Sequence, residues 1–334
     1  MSDHPETRNY FLHGTRLQVS CSTAMSAYLD ARFRLLPAEE QCAKAVVFDF
    51  QPAPAPNRHA IERPRGDGKP FYEMPKGEAT YFEDTDEVYL SFGDGVRALY
   101  EPRLNRVSVS CVESAPKNLF VASHLVLTIM LVEIFKRHGW YSLHAAGFSE
   151  NGGAILLPGT SGAGKSTLSV ALLRARFGYL ADDMVFLGRR PDGLAARGIV
   201  EDIDVSDETI RFFPELSFLL QSPKTDGFTK RQVRVEQVYG TRIISESCPK
   251  AIILPRISGK QDSVLTEIAS DEALLEIVAN VFLTQSRACQ AHLDALADVV
   301  KQATCYRLDT GRDFDRIPAI FRELLSCDQE KVCV

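Results

Sequence analysis

The chain has 334 residues, 45% of them hydrophobic and 25% charged, with a formal net charge of -6. That length allows two domains and a core that needs no disulfide staples, and the acidic balance excludes a nucleic-acid backbone as the main partner. Eight scattered cysteines with no CxxC pair exclude a zinc ribbon or thioredoxin-type site and fit a reducing, cytoplasmic compartment.

Residues 1–117 are expected to form a smaller, mostly β N-terminal domain that offers a surface for a substrate or partner. Met1 to Asn9 is polar and carries no apolar signal-peptide core. Lys44–Phe50 reads as a strand. The Pro-, Arg- and Gly-rich run Gln51–Pro70 then breaks regular structure. Val88–Phe92 and Val96–Tyr100 alternate around Gly93-Asp94-Gly95, a hairpin signal, and Arg106–Val112 adds a third strand to an antiparallel meander. Leu119–Phe135 is the most apolar stretch, but Ser123, His124, Thr128 and Glu133 interrupt it. It is too short and polar for a membrane span of about 20 apolar residues. A buried helix, Asn118–His138, stopped by Gly139, is expected instead, with no membrane partner.

From 118 to 334 short apolar strands alternate with helices, which predicts an α/β domain with a mostly parallel sheet. Its strands are Tyr141–Phe148, Ala154–Leu157 and Tyr179–Leu187. Asp271–Phe282 and Ala288–Gln302 read as amphipathic packing helices, and the chain closes with strand Thr304–Asp309 and helix Phe314–Leu325.

Between the strand Ala154–Leu157 and a helix over Thr167–Phe177 lies Gly159-Thr160-Ser161-Gly162-Ala163-Gly164-Lys165-Ser166. Strand, Gly-rich turn, helix is the context in which GxxxxGK[ST] binds nucleoside triphosphate phosphates. Glycines let successive backbone N–H groups converge on an anion, and the helix N-terminus adds its partial positive charge. Lys165 reaches the β- and γ-phosphates, and the hydroxyl of Ser166, followed by Thr167, offers a hard oxygen to Mg²⁺. A chance match to the four fixed positions in a chain of this length is about one in a hundred, so ATP with Mg²⁺ is the expected ligand.

The next strand carries Ala181-Asp182-Asp183. Adjacent carboxylates in an apolar strand are unfavourable unless paired or metal-bound. Alternation points them in different directions, so one can face Mg²⁺ and the other an incoming hydroxyl.

His144, the loop and Ala-Asp-Asp, in that order and spacing, resemble the HPr kinase/phosphorylase family and its relatives, including kinases that phosphorylate a serine of a precursor peptide. The resemblance is strong over residues 140–190, loose over the rest of the C-terminal domain and nearly absent before it. It implies a P-loop kinase domain of the HPr kinase/PEP carboxykinase type. Lys165 would bind phosphate and Ser166 Mg²⁺. Asp183 would take the proton from the acceptor hydroxyl, His144 would sit by the transferred phosphoryl group, and Asp182 would be the metal-side carboxylate. The family's glycine-rich segment after this strand has no clear counterpart. In Gly198–Asp204 any of Glu201, Asp202 or Asp204 could supply the second metal carboxylate, and phosphorolysis is not expected.

Lys230, Arg231 and Arg234 form a candidate phosphate clamp, next to Asp226-Gly227, where a mobile loop is expected. Arg256 and Arg312 are further candidates. The sequence thus predicts an ATP- and Mg²⁺-dependent kinase acting on a hydroxyl of a protein, peptide or small molecule. The alternative is an ATP-binding switch or ATPase without transfer. No LSGGQ segment suggests a transporter ATPase and no NKxD a GTPase, and the chain is short for a PEP carboxykinase. A homo-oligomer is compatible with the sequence.

Overall fold

The computed structural model describes residues 5–330 except 39, 75, 222, 223, 225–228, 280, 282, 283 and 285, so Asp226-Gly227 lies outside the described residues. The chain divides into two compact units. One runs to His138 and takes in Phe282–Gln290; the other holds Gly139–Val281 and the residues from Ala291 onward.

The first unit opens with a hairpin of β1 (Glu6–Leu12) and β2 (Thr15–Cys21). Its two-residue turn, His13-Gly14, has φ of 54° and 73°, the primed geometry that matches strand twist. Helix α1 (Thr23–Phe33) follows, capped by Ser22, whose Oγ accepts from the Met25 N–H at 3.1 Å. Then come β3 (Lys44–Pro52), β4 (Gly68–Met74), β5 (Gly77–Phe82), β6 (Glu87–Phe92), β7 (Val96–Glu101) and β8 (Arg106–Cys111). They form one eight-stranded sheet in the order β1-β2-β3-β8-β7-β6-β5-β4. The meander read from the sequence is its β6-β7-β8 part. β3 departs from that pattern, pairing in parallel with both β2 and β8.

A long helix ends the continuous part of this unit: α2 (Pro116–Val121), a π-helical turn at Ala122–Val126, and α3 (Leu127–Arg137). A π turn leaves carbonyls out of the regular ladder. The buried Arg32 guanidinium meets them, donating to the Ser123 carbonyl, to the His124 carbonyl at 2.9 Å and to Thr128 Oγ1 at 2.6 Å. By length and composition Pro116–Arg137 could cross a membrane, yet 72% of its most apolar stretch is buried inside the protein. Glu133 and Lys136 are fully buried as an ion pair at 2.7 Å, with Thr284 Oγ1 donating to Glu133 at 2.8 Å. The sequence placed this helix at the start of the second domain, with a boundary near Lys117. It sits in the first unit because its end is tied there: Arg137 pairs with Asp86 at 2.6 Å and lies over the Tyr100 ring, and His138 bonds Thr15 at 3.0 Å.

The second unit is mixed α/β. In chain order it contains β9 (Trp140–Glu150), β10 (Gly153–Pro158), α4 (Lys165–Arg174), β11 (Gly178–Ala181), β12 (Met184–Arg190), β13 (Gly193–Gly198), β14 (Ile203–Val205), α5 (Asp207–Phe212), β15 (Arg231–Val233) and α6 (Val235–Tyr239). It continues with β16 (Cys248–Ile257), β17 (Val264–Glu267), α7 (Ser270–Val278), α8 (Ser286–Gln302), which starts in the first unit, then β18 (Thr304–Thr310) and α9 (Ile317–Glu330). The main sheet runs β13-β12-β9-β10-β16-β18-β17, and β11 also pairs with β9.

The mostly parallel sheet expected from the sequence is corrected here. Only β10–β16 and β16–β18 are parallel along that path. The reason is local. Asn151-Gly152, with φ of 51° and 84°, folds β9 and β10 into a two-residue hairpin, so no crossover helix separates them. One face of this sheet packs against α7 and α8, with Leu143, Leu156, Val185, Leu187, Ile252 and Leu296 among the buried side chains.

Candidate functional site

The expected strand Tyr179–Leu187 is broken into β11 and β12 at Asp182-Asp183. Both halves pair with β9, Ala181 opposite Gly147 and Met184 opposite His144. Between them the Asp183 carbonyl accepts from the Ala145 N–H at 3.2 Å. Leaving the ladder frees both carboxylates to diverge. Asp182 turns beneath helix α4, where Ser169 Oγ donates to its Oδ1 at 2.8 Å; Asp183 turns outward, its side chain 74% exposed.

The glycine-rich loop leaves the end of β10 and enters α4. Gly162 and Gly164 have φ of 88° and 96°, in the region that disfavours side chains, and Gly164 stands at the N-cap of α4. A Cβ on Gly162 would meet nothing within 4 Å, so the space over the loop is open. The first N–H groups of a helix have no intrahelical partner, and those of Lys165 and Ser166 belong to this turn. Ser166 is half-buried there. The Thr167 hydroxyl, counted with the loop from sequence, instead lies 2.9 Å from Thr209 Oγ1.

Lys165 is buried, and its ammonium donates to the Gly159 carbonyl, to the Thr160 carbonyl at 3.4 Å and to His144 Nε2 at 3.0 Å. An ammonium only donates, so Nε2 must carry the lone pair. The proton then sits on Nδ1, which lies 2.9 Å from the Asp183 carbonyl and 3.3 Å from Asp183 Oδ1. This tautomer suits the electrostatics. Burial lowers the His144 pKa, opposed by Asp183 and reinforced by Lys165, so the ring is neutral. Burial likewise lowers the Lys165 pKa, against the pull of Asp183 and Asp182.

On the acid side, removal from water and then the neighbouring Asp183 charge push Asp182 up to about 7, while the Ser169 hydrogen bond opposes the rise. Of the three acids left open by the sequence, Asp204 on β14 adds its charge to the rise of Asp182. Asp204 is solvent-accessible but recessed among other carboxylates. Desolvation raises it to about 6, Lys230 opposes the rise, and Glu201, Asp183 and Asp202 add to it.

The three residues of the candidate clamp have different surroundings. Lys230 sends its field to Asp182, Asp204, His144 and Lys165. Arg231 is tied to Asp207 at 2.9 Å, which also holds Lys224 at 2.9 Å, and Arg234 is exposed before α6. Arg312 is exposed, its backbone N–H bonded to the Gln261 carbonyl at 2.9 Å.

Two features escaped the sequence. Ser169 is the partner of Asp182; it lies four residues after Lys165, on the same helix face, a spacing that could have revealed it. The other is a cavity of about 630 Å³ on the β16 side of the loop, lined by Thr160–Ala163, Leu254–Ile257, Glu276 and Arg307. It lies at the carboxyl ends of strands, where α/β sheets commonly bind ligands.

The residues present fit a nucleotide and a hydrated Mg²⁺. The loop is open and rich in positive-φ glycine, and the buried ammonium beside it satisfies itself on carbonyls that a phosphate could replace. Among the described residues no three His, Cys, Asp or Glu side chains converge as a metal cage. Magnesium in phosphoryl-transfer sites is usually held by one or two carboxylates together with water and phosphate, which Ser166 and Asp182 could supply.

No family model and no curated protein matches the chain. Among solved structures, the HPr(Ser) kinase/phosphatase from Coxiella burnetii is similar over 57% of this chain and 92% of that one, at 13% identity and a TM-score of 0.31.

Proposed function

We propose that the protein is an ATP- and Mg²⁺-dependent kinase that transfers a phosphoryl group to a hydroxyl of a protein, peptide or small molecule. The observation that carries this is the order across the site: Lys165 of the phosphate loop, His144 at 3.0 Å, and Asp183 3.3 Å beyond it with an exposed carboxylate. A switch that only binds nucleotide has no use for an exposed carboxylate across from its phosphate loop.

Phosphoryl transfer asks for positioning and charge stabilisation more than covalent chemistry. Bound Mg²⁺ would supply charge neutralisation on the phosphates, held by Ser166 and Asp182. Loop N–H groups and Lys165 orient the phosphate tail. His144 holds the Lys165 ammonium on its Nε2 and spaces it from Asp183. The Asp183 carboxylate, open to solvent, accepts the proton from the acceptor hydroxyl.

The test is purified protein with labelled ATP, Mg²⁺ and candidate hydroxyl acceptors. Asp183→Asn should bind nucleotide normally and lose transfer by about a hundredfold or more, the scale of general-base catalysis. Lys165→Ala should lose both. Transfer by Asp183→Asn at the wild-type rate would remove Asp183 as the base, and nucleotide binding without transfer to any acceptor by wild type would overturn the kinase proposal.

A further inference from the structure

We infer that the cavity beside the phosphate loop seats the nucleoside half of the ligand on an apolar floor of Leu254, Pro255 and Ile257, gripping the base by its ring face and not by its edge. This rests on the proposal that the loop holds a nucleoside triphosphate.

The sheet order supplies the direction. The loop leaves β10; β9, with His144 and the Asp182-Asp183 break, lies on one side, and β16 and β18 lie on the other. A triphosphate whose reactive end faces Asp183 therefore sends its sugar and base towards β16, where the cavity is. A volume of about 630 Å³ exceeds what a phosphate tail needs and lies in the usual range for small-molecule sites.

Chemistry agrees with position. Ile257 is 63% exposed at the mouth of the loop, and its Cγ1 stands 3.4 Å from where a Cβ on Gly164 would be. Leu254 is buried beneath, and Pro255 packs beside Gly159. A flat aromatic ring over this floor removes apolar surface from water on both partners.

The charged lining groups, by contrast, are engaged in ion pairs. Arg256 bonds Asp309 through Nε at 2.9 Å and Nη2 at 2.8 Å; Arg307 bonds Glu272 at 2.8 Å and also Glu276. A base edge that recruited Glu276 would have to break its pair with Arg307. The guanidinium planes can still stack on a ring while keeping their carboxylates. Adenine and guanine, which share a ring face and differ in their edges, should then bind alike.

The experiment is calorimetric titration of the full chain in Mg²⁺ with ATP, GTP and inorganic tripolyphosphate, on wild type, Ile257→Ser and Leu275→Ser. Leu275 is similarly exposed on α7 but does not line the cavity, so its variant serves as the control. Wild type and the control should bind ATP and GTP within about threefold of each other and both about tenfold tighter than tripolyphosphate, the scale of one buried aliphatic contact. Ile257→Ser should bring both nucleotides close to the tripolyphosphate affinity and leave tripolyphosphate unchanged. If wild type binds tripolyphosphate as tightly as ATP, or Ile257→Ser leaves the nucleotides untouched, the cavity assignment is wrong and the phosphate loop stands. A preference for one base above tenfold overturns the face-reading mode. Absence of binding by all three ligands overturns the loop reading as well.

Discussion

Lys165 Nζ lies 3.0 Å from His144 Nε2, so the ammonium beside the glycine-rich loop is held by a neutral imidazole whose other nitrogen faces Asp183. That makes His144 a positioning residue between the loop cation and the outward acid. His144→Ala removes an acceptor and leaves Lys165 only backbone carbonyls. Nucleotide affinity should change by less than about threefold while transfer falls about tenfold or more. His144→Gln, whose amide oxygen can still accept from Lys165, should recover part of that rate. Steady-state kinetics on both variants decides this, since equal losses in the two, or none, would contradict a positioning role.

Asp182 carries its charge at a cost in stability. Its carboxyl is raised to about 7, so above that pH the folded chain carries a charge that it holds less readily than the unfolded chain does. Asp182→Asn keeps an oxygen for Ser169 and removes the charge. At pH 8 without divalent cations the variant should be more stable than wild type, on the order of 1–2 kcal/mol. Addition of nucleotide and Mg²⁺ should then stabilise wild type and not the variant, beyond what nucleotide in EDTA achieves. Thermal melts in both buffers measure it, and an equal Mg²⁺ increment in the two proteins would release Asp182 from any metal role.

The loop, its lysine and the acid pair were legible because each rests on local chemistry: glycines at fixed offsets, a strand before, a helix after. So were β6, β7 and β8, where alternation is clean. Other elements depend on distant partners. Residues 5–33, with β1, β2 and α1, were not resolved into elements, although Leu17, Val19 and Cys21 alternate with Arg16, Gln18 and Ser20 and His13-Gly14 and Asn151-Gly152 are both turn dipeptides. Missing the second of these turned an antiparallel hairpin into an assumed parallel neighbour. The cavity was invisible for another reason. Leu254–Ile257, Glu276 and Arg307 come from three separate elements, and only the strand order brings them to the loop. The Arg231–Asp207 ion pair likewise joins separate segments and has no signature in the sequence.

Gly198 should tolerate no side chain. A Cβ there would stand 2.1 Å from the Leu180 carbonyl oxygen and 2.7 Å from Ala181 Cβ, so backbone has to move. The segment that follows carries Glu201, Asp202 and Asp204 towards the acid site. Gly198→Ala should lower unfolding free energy by about 2–3 kcal/mol, as overpacking of a filled core does. Denaturant unfolding checks the value, and a change below about 0.5 kcal/mol would mean that β13 does not approach β11 as described.

Acid sensitivity of the first unit follows from two half-buried histidines. Burial, then the Arg32 charge, lowers His124 from 6.5 to about 3; burial, then Lys44 and Arg137, lowers His138 to about 4. Between those values and 6.5 the unfolded chain binds protons that the folded unit does not, so stability falls as pH falls through this window. From pH 7 to pH 5 each ring should remove roughly 2 kcal/mol. The order of the two matters less than the sign, because a histidine paired with a carboxylate would stabilise on acidification instead. His124→Gln and His138→Gln abolish the titration, and each should flatten the pH dependence of the denaturant midpoint by about its own share. His138 bonds Thr15, so its variant also loses some stability at every pH; the slope, not the midpoint at pH 7, is the quantity to compare. An unchanged slope in both variants would show that these rings charge as freely in the folded chain as in water, against the burial of His124 beside Arg32.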